Sequence, residues 1–129
     1  MRSVYPVIFT PEDVGYSVYV PDFDVNTQGD DFAEAMYMAR EVIGLMGDML
    51  EDNGSSMPSP SKMDELTHAE NESVVLIDVD FLDYRRRHDN KAVKKNCSIP
   101  NWLNEAAMQA GLNFSKVLQD GLKEKLGLA

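Results

Sequence analysis

The sequence predicts an α+β protein of two domains, with a β-β-β-α-β order over residues 1–84 and a strand-helix-helix order over residues 91–129. The periodicity of hydrophobic residues predicts the order of strands and helices in both domains. The charge distribution supplies the division, because residues 1–84 carry 3 basic and 18 acidic side chains whereas residues 85–129 carry 9 and 4. We expect residues 85–90, which read RRRHDN, to form a basic linker that is either solvated or in contact with phosphate.

Three short β-rich runs open the chain. Residues 4–9 are apolar and rich in β-formers, with Pro6 placing the strand near an edge or at its start. Residues 16–20 predict a second strand with alternate apolar residues on one face, and residues 25–28 a short third one. Together they predict a meander that offers one face to a helix.

The helix that follows has the clearest signal in this half. Asp31 with Glu34 three residues later has the spacing of a capping box. Apolar residues then recur at helical spacing and predict a stripe packed on the sheet: Phe32, Ala35, Met36, Ala39, Ile43, Met46 and Leu50. A polar loop leads to a last strand at residues 73–80, whose apolar run at residues 74–77 suits a strand covered on both faces.

The C-terminal domain begins with a period of two. Lys94, Asn96 and Ser98 alternate with three neighbours, Lys95, Cys97 and Ile99, which predicts a strand with one polar face. Pro100 ends the strand and opens a helix that runs to about Ala110. Gly111 then suits a left-handed C-cap, and Asn113 suits the N-cap of a second helix that ends at Gly127. The expected core positions are Ile99, Trp102, Leu103, Ala107, Leu112, Val117, Leu118 and Leu122.

Such a unit cannot be stable alone. Its single strand leaves both edges unpaired, and two helices of about a dozen residues bury little apolar surface. A twofold dimer in which the two copies of the strand pair antiparallel removes both problems and places the two polar faces on one side. A ribbon of that kind fits the DNA major groove.

This segment resembles the ribbon-helix-helix domain of Arc/MetJ-type repressors. The resemblance implies that Lys94, Asn96 and Ser98 read base edges in operator DNA, for which lysine, asparagine and serine have suitable donors and acceptors. It also implies that the amides opening the second helix, at Asn113, Phe114 and Ser115, hold a phosphate. Without a dimer, the strand residues would be ordinary solvated side chains.

The N-terminal stretch YPVIFTPEDVGYSVYVPDFDVNTQGDDFAEA resembles the N-terminal domain of HicB antitoxins. The matches are Tyr5-Pro6, residues 15–18, Pro21-Asp22, and residues 27–30 running into an Ala-rich helix. Residues 24–26 depart from the Pro-Gly-Cys turn of many members. The resemblance implies a partial RNase H-like fold that binds and silences a small basic mRNA-cleaving toxin, HicA. It also implies a homodimer that represses the shared operon, and leaves open whether dimers pair into a tetramer.

We expect toxin contacts near the acidic residues that flank the sheet, which are Asp22, Asp24, Asp30 and Asp31. Their net negative surroundings suit a basic partner. For any single one, a turn or cap role is the simpler interpretation.

Two rival functions follow from the same residues. Asp22 and Asp24 with Asp78 and Asp80 could assemble a two-metal nuclease site on an RNase H-like fold. No general base is identifiable and both histidines lack ligand spacing, so we expect no enzyme activity, no catalytic residue, no metal and no cofactor. The other rival is a free-standing ribbon-helix-helix repressor whose N-terminal domain senses a ligand or oligomerises.

The cysteine content and the lengths of the apolar runs indicate the cellular compartment. The lone cysteine, Cys97, excludes an intramolecular disulfide framework and suits a reducing environment. There is no apolar run of membrane-spanning length and no apolar core of a signal peptide. We therefore expect a cytoplasmic protein with no membrane partner.

Overall fold

In the computed structural model, which describes residues 2–89 and 91–128, a four-stranded antiparallel sheet carries a long helix on one face. The chain divides into unit 1, Met1–Lys91, and unit 2, Ala92–Ala129. Unit 1 holds the strands β1 (Arg2–Pro11), β2 (Tyr16–Val20), β3 (Val25–Gly29) and β4 (Ser73–Asp80). It also holds the helices α1 (Phe32–Asp52) and α2 (Phe81–His88), and a 3₁₀ turn at Met63–Glu65.

The strands lie in the order β3-β2-β1-β4, so the first strand is central and the last one lies at an edge. Ile8 of β1 stands opposite Tyr19 of β2 and Val74 of β4. Pro6 has no N–H to donate, yet the sheet tolerates it. It pairs with Leu76 of β4, and no residue of β2 pairs with it on the other side. The predicted β-β-β-α-β order is thus present in unit 1.

Helix α1 covers one face of the sheet as predicted. The Asp31 side chain accepts a hydrogen bond from the Glu34 amide at 2.7 Å, and the Glu34 carboxylate accepts one from the Asp30 amide at 3.1 Å. The predicted stripe faces the core, with Ala35, Ala39 and Ile43 fully buried. The remaining core consists of Tyr5, Val7, Phe9, Val18, Val20, Phe23, Ile77, Val79 and Phe81.

Strand β4 is covered on one face only, so the expectation of cover on both faces is wrong. Ile77 and Val79 are buried against α1, whereas Leu76, which points to the other side, is 50% exposed. The apolar run at residues 74–77 does not distinguish a strand buried twice from an edge strand with one open face. Only the position of β4 in the sheet decides between them.

Residues 53–72 form the predicted loop, which is tied to the sheet at three points. The Tyr5 hydroxyl donates to the Pro58 carbonyl at 2.9 Å, and the Ser61 amide donates to Asp22 at 2.9 Å. The third tie joins Thr10 to the Glu72 carboxylate. These bonds order a long segment that has little secondary structure of its own.

The predicted linker at residues 85–90 is wrong over its first four residues, which complete helix α2. The helix is capped by Asp80, whose side chain accepts from the Asp83 amide at 3.1 Å. Arg85 and Arg87 are engaged rather than solvated. Arg85 contacts three carboxylates of α1, at Asp48, Glu51 and Asp52, and Arg87 pairs with Glu41 and Asp83. Asn90, the last residue of the predicted linker, lies outside the described residues.

Two glycines of α1 let α2 pack against it. A Cβ on Gly44 would lie 2.4 Å from the Tyr84 ring, and one on Gly47 would lie 2.3 Å from the Phe81 ring. Both aromatic residues are buried. The close approach needs glycine at these positions because no side chain could occupy the same space.

Unit 2 contains α3 (Asn101–Gln109) and α4 (Phe114–Lys125), close to the predicted bounds. Gly111 has the predicted positive φ, at 69°, and Pro100 is the N-cap of α3 rather than its first residue. Residues 91–100 lie in no strand, since none of the described chain pairs with them. Among the described helices, none is long and apolar enough to cross a membrane.

No described residue of unit 2 is buried, so the apolar positions expected in a core do not form one within a single chain. Trp102 is 70% exposed and Leu122 is 53% exposed. The cause is the small size of the unit, in which two short helices have no further layer to pack against.

The glycine contact between the helices is open to test by Gly44→Ala. The added methyl group collides with the Tyr84 ring, and we expect a loss of roughly 1–3 kcal/mol in the free energy of unfolding. The helix propensity of alanine returns at most about 1 kcal/mol of this loss. Urea unfolding measures the difference.

The control places the same substitution in a Tyr84→Ala background, where the collision is absent. There we expect Gly44→Ala to be neutral or stabilising. An equal loss in both backgrounds would show that the ring does not require the glycine.

Candidate functional site

The surface of unit 2 carries an apolar groove of about 530 Å³ between residues 95–99 and the two helices. Three residues of the N-terminal segment line it: Lys95, Cys97 and Ile99. The helical side is lined by Leu103, Asn104, Ala107, Leu112, Phe114, Ser115, Val117 and Leu118. The groove therefore presents the apolar positions that the sequence assigned to a core.

The three predicted base-reading residues alternate with the residues that line the groove. Lys94, Asn96 and Ser98 are all exposed and none of them lines it. A period of two along the segment is what a strand with one face toward the helices produces. The groove lining thus takes every second residue of the segment, and the role of Lys94, Asn96 and Ser98 stays a prediction.

The N-terminus of α4 has the predicted cap. The Asn113 side chain accepts a hydrogen bond from the Lys116 amide at 3.1 Å. Phe114 and Ser115, the first two residues of the helix, are exposed, and their amides have no partner of the i−4 kind within α4. Such amides and the helix dipole suit an anion, so the phosphate contact at residues 113–115 stays a prediction with compatible geometry.

The first two acidic residues proposed for toxin binding hold the turn after β2. Asp22 is tied to Ser61 of the long loop. Asp24 adopts a left-handed φ of 50° and accepts a hydrogen bond from the Tyr19 hydroxyl at 2.9 Å. That bond raises the pKa of Tyr19. Aspartate tolerates this conformation better than most residues, so the turn forms without a glycine at position 24.

The other two, Asp30 and Asp31, lie at the opposite end of β3 and open helix α1. Asp24 and Asp30 are separated by the whole strand, which is roughly 20 Å of extended chain. The four carboxylates therefore do not form one cluster. Their role in toxin contact stays a prediction, but two separate surfaces are involved rather than one.

Asp78 and Asp80 belong to a polar cleft of about 350 Å³ in unit 1. Asp78 pairs with Arg40 at 3.0 Å and with Arg2 at 3.5 Å. The hydrogen bond and charge of Arg40 hold the pKa of Asp78 below its ordinary value. The hydrogen bond from the Asp83 amide is the main cause of a lowered pKa at Asp80. Both carboxylates are thus occupied by positively charged groups or donors of unit 1.

A metal centre at these positions finds no support in the geometry. Within residues 2–89 and 91–128, no three His, Cys, Asp or Glu side chains are grouped so that they could hold a metal ion. Asp22 and Asp24, the other members of the nuclease hypothesis, are committed to the turn after β2. No catalytic constellation is apparent among the side chains that the structure describes.

Sequence reasoning missed helix α2 and the position of β4 at the edge of the sheet. A signal for the helix was present, because Asp80 followed three residues later by Asp83 has the spacing of an N-cap. Phe81, Tyr84 and His88 repeat at helical spacing on one side. The basic run at residues 85–87 concealed this pattern.

Comparison with protein families gives a match over most of the chain. A family model described as HicB-like antitoxin of bacterial toxin-antitoxin system matches residues 5–119. A search of curated protein sequences gave no significant match.

Solved structures with a similar fold come from toxin-antitoxin proteins. A chain of a toxin-antitoxin complex from Streptococcus pneumoniae is 27% identical, with a TM-score of 0.64 over 97% of this chain and 99% of that one. The antitoxin HicB of Burkholderia pseudomallei is 24% identical, with a TM-score of 0.53 and 96% of each chain covered. A chain of a HicA3 and HicB3 toxin-antitoxin complex is 22% identical, with a TM-score of 0.52 over 60% of this chain and 99% of that one. The last two show likeness of fold alone.

Acid titration tests the pair formed by Arg40 and Asp78. Because the folded pKa of Asp78 is lowered, the pair stabilises the fold above the ordinary pKa of 3.8 and loses that effect as the pH falls through the folded value. We expect Asp78→Asn to flatten the decline in the free energy of unfolding as the pH falls below the ordinary pKa of an aspartate. Urea unfolding at a series of pH values measures the slope.

Arg40→Gln serves as the matched variant because it removes the partner and keeps the carboxylate. It should flatten the slope to a similar extent, and the double variant should add little. Slopes identical to wild type in both single variants would contradict the assigned cause.

Proposed function

Since the chain belongs to the HicB-like antitoxin family of bacterial toxin-antitoxin systems, we propose that it neutralises a small basic HicA-type toxin and represses the operon encoding both proteins. In this proposal the toxin cleaves mRNA and the antitoxin acts in the cytoplasm by binding, with no chemistry of its own. Unit 1 contacts the toxin and unit 2 contacts operator DNA. The family match supports both assignments since it extends across both units.

The observation that carries the DNA-binding part is the alternation along residues 94–99. Residues 95, 97 and 99 line the apolar groove, and residues 94, 96 and 98 are not part of its lining. If two copies pair antiparallel through this segment, the groove residues of both chains close into one core. The six outward side chains then form a polar ribbon of a width that enters the major groove.

The lack of buried residues in unit 2 supports the same dimer. Leu103 is 41% exposed and Leu118 is 40% exposed, although both face the groove. Apolar surface of this extent on two short helices is typical of an obligate dimer interface, which resembles a domain core cut in half. Unit 2 therefore acquires its core only when a second copy supplies the other half.

Charge separates the two proposed binding roles. Unit 2 carries five lysines against three acidic side chains, and this net charge of +2 favours a polyanion. Residues 1–84 have a net charge of −15, which favours a basic protein. Asp22, Asp24, Asp30 and Asp31 remain candidate toxin contacts. Because Asp22 and Asp31 also hold the fold, their substitution would weaken binding through stability as well as through contact.

Growth rescue tests the antitoxin function. The short basic protein expected from the adjacent gene is expressed from one promoter and this chain from a second, unrelated promoter, which removes repression as an explanation. We expect the adjacent gene product to stop growth and this full-length chain to restore it. The measurement is the growth rate with and without each inducer.

Failure of rescue against a toxic neighbour would contradict neutralisation. Together with intact operator binding, that failure would favour a free-standing repressor whose N-terminal unit senses a ligand or oligomerises. A chain truncated after residue 91 would be an unsuitable control, because its own stability is unknown.

Sequence discrimination tests the DNA-binding residues. Lys94→Ala with Asn96→Ala removes two of the proposed base contacts, each worth about 1–3 kcal/mol of discrimination. We expect the ratio of affinities for operator and scrambled DNA to fall by roughly tenfold or more while the dimer persists. Fluorescence anisotropy gives the ratio, and light scattering gives the dimer.

Lys123→Ala is the matched control, because it removes the same charge from the last turn of α4. It should weaken binding to both DNAs alike, if at all. Unchanged discrimination in the double variant would contradict the assignment of residues 94–98 to base reading.

A further inference from the structure

The two edge strands of the sheet in unit 1, β3 and β4, differ in length and in composition. The β3 edge is five residues long and reads VNTQG, with polar residues at its centre. The β4 edge is eight residues long and reads SVVLIDVD, and its first five residues, 73–77, contain no proline, charged side chain or bulge. Proteins usually protect an edge strand by one of those devices, because unpaired backbone groups recruit other strands.

A hydrogen bond from Arg40 shows which backbone groups of β4 point outward, away from β1. The Arg40 Nε donates to the Asp78 carbonyl at 3.0 Å, so the backbone of Asp78 points away from β1. In an antiparallel ladder the direction alternates, and the N–H and C=O of Leu76 and Val74 therefore also point outward. Pro6 agrees with this assignment, since it stands opposite Leu76 and has no N–H to offer β4.

Residues 73–77, here called the open edge, lack internal partners for these groups. Among the described residues, none forms a hydrogen bond to the outward N–H or C=O of Val74 or Leu76. The neighbouring side chains are apolar and accessible, with Leu76 50% exposed and Val4 of β1 45% exposed. Free backbone groups beside exposed apolar side chains are the two features that strand addition requires.

The segment preceding the open edge carries one sign of charge. Residues 64–72 hold Asp64, Glu65, Glu70 and Glu72 and contain no lysine or arginine. The first three are exposed. A strand with basic side chains beside it would meet complementary charge here, which selects and orients such a partner.

Self-pairing of β4 is disfavoured by the same charges. A second copy would bring to the pair the same acidic segment and the same net charge of −15 over residues 1–84. Like charges placed across a ladder are destabilising. A basic protein is therefore a better occupant of the open edge than a second copy of this chain.

We propose that the open edge is the docking site of the basic toxin, which adds a β-strand beside β4 and places basic side chains against residues 64–72. This inference rests on the proposed antitoxin function and assigns its contact surface. It also moves the principal contact away from the turn residues Asp22 and Asp24. In strand addition, backbone hydrogen bonds provide the affinity. Contacts with the exposed side chains of Leu76 and Val4 would fix how the added strand aligns with β4.

The experiment compares Leu76→Lys with Asn26→Lys in the full-length chain. Both changes add one lysine to an exposed position of an edge strand, the first on β4 and the second on β3. An edge lysine opposes strand addition and repels a basic partner. We expect Leu76→Lys to weaken binding of the purified adjacent-gene product by roughly tenfold or more, and Asn26→Lys to leave it within about twofold, by titration calorimetry.

Hydrogen exchange provides a measurement that does not depend on a variant folding. On binding the adjacent-gene product, wild-type peptides that contain residues 74 and 76 should gain protection, because their outward amides acquire acceptors. Peptides from β3 should not change. Thermal unfolding of both variants confirms that the sheet is intact before affinities are compared.

The outcomes separate the two hypotheses. No binding by the wild-type chain would overturn the antitoxin function itself. Normal binding by wild type with equal affinities for both variants, and no protection in β4, would overturn the open edge while leaving the function in place. Loss of a higher oligomer in Leu76→Lys with unchanged toxin affinity would overturn the toxin as occupant in favour of a second copy.

Discussion

A strand needs hydrogen-bond partners on at least one side, and residues 92–99 have none within the described part of the chain. The lack of a partner has consequences throughout unit 2. The apolar residues that face the helices stay open to solvent, and neither helix buries a residue. The unit is consequently specified as half of a structure, with the second half supplied by another copy in the function we propose.

Unit 1, in contrast, buries its apolar residues in a core within the single chain. Its sheet is covered on one face by α1 and completed at one end by α2, whose two aromatic residues fit against Gly44 and Gly47. Arg85 then brings a positive charge to the acidic C-terminal turns of α1, where a helix dipole disfavours carboxylates. The basic run at residues 85–87 therefore contributes to the fold of unit 1, and its charge is largely compensated there.

That compensation changes how the charge of the chain is interpreted. The net +5 of residues 85–129 includes arginines that are paired within unit 1, so the field available to DNA comes mainly from the lysines of unit 2. The acidic surface of unit 1 is likewise reduced where Asp78 meets Arg40 and Arg2. Among the described residues, Asp64, Glu65 and Glu70 form no ion pair, and they directly precede the open edge, which is why charge complementarity favours a basic partner there.

Local signals were sufficient for most elements and for the caps. Asp31 and Asn113 were identifiable as caps, and Gly111 as a left-handed residue, because each acts on backbone groups within three or four residues of itself. The period of two at residues 94–99 was equally local. The residues proposed to read DNA were chosen from that period, and their role stays a prediction.

The features that escaped prediction depend on residues distant in the chain. Helix α2 is positioned by Gly47 and Gly44, which lie 34 and 40 residues before the aromatic residues that they contact. The open face of Leu76 follows from the place of β4 at the edge of the sheet. The acidic residues 22–31 are adjacent in sequence yet are separated by the length of β3. Sequence by itself thus determined the four strands and the long helix of unit 1 and both helices of unit 2, since backbone preferences act locally. Only tertiary structure decided which faces and edges remain open, because exposure depends on what packs there from elsewhere.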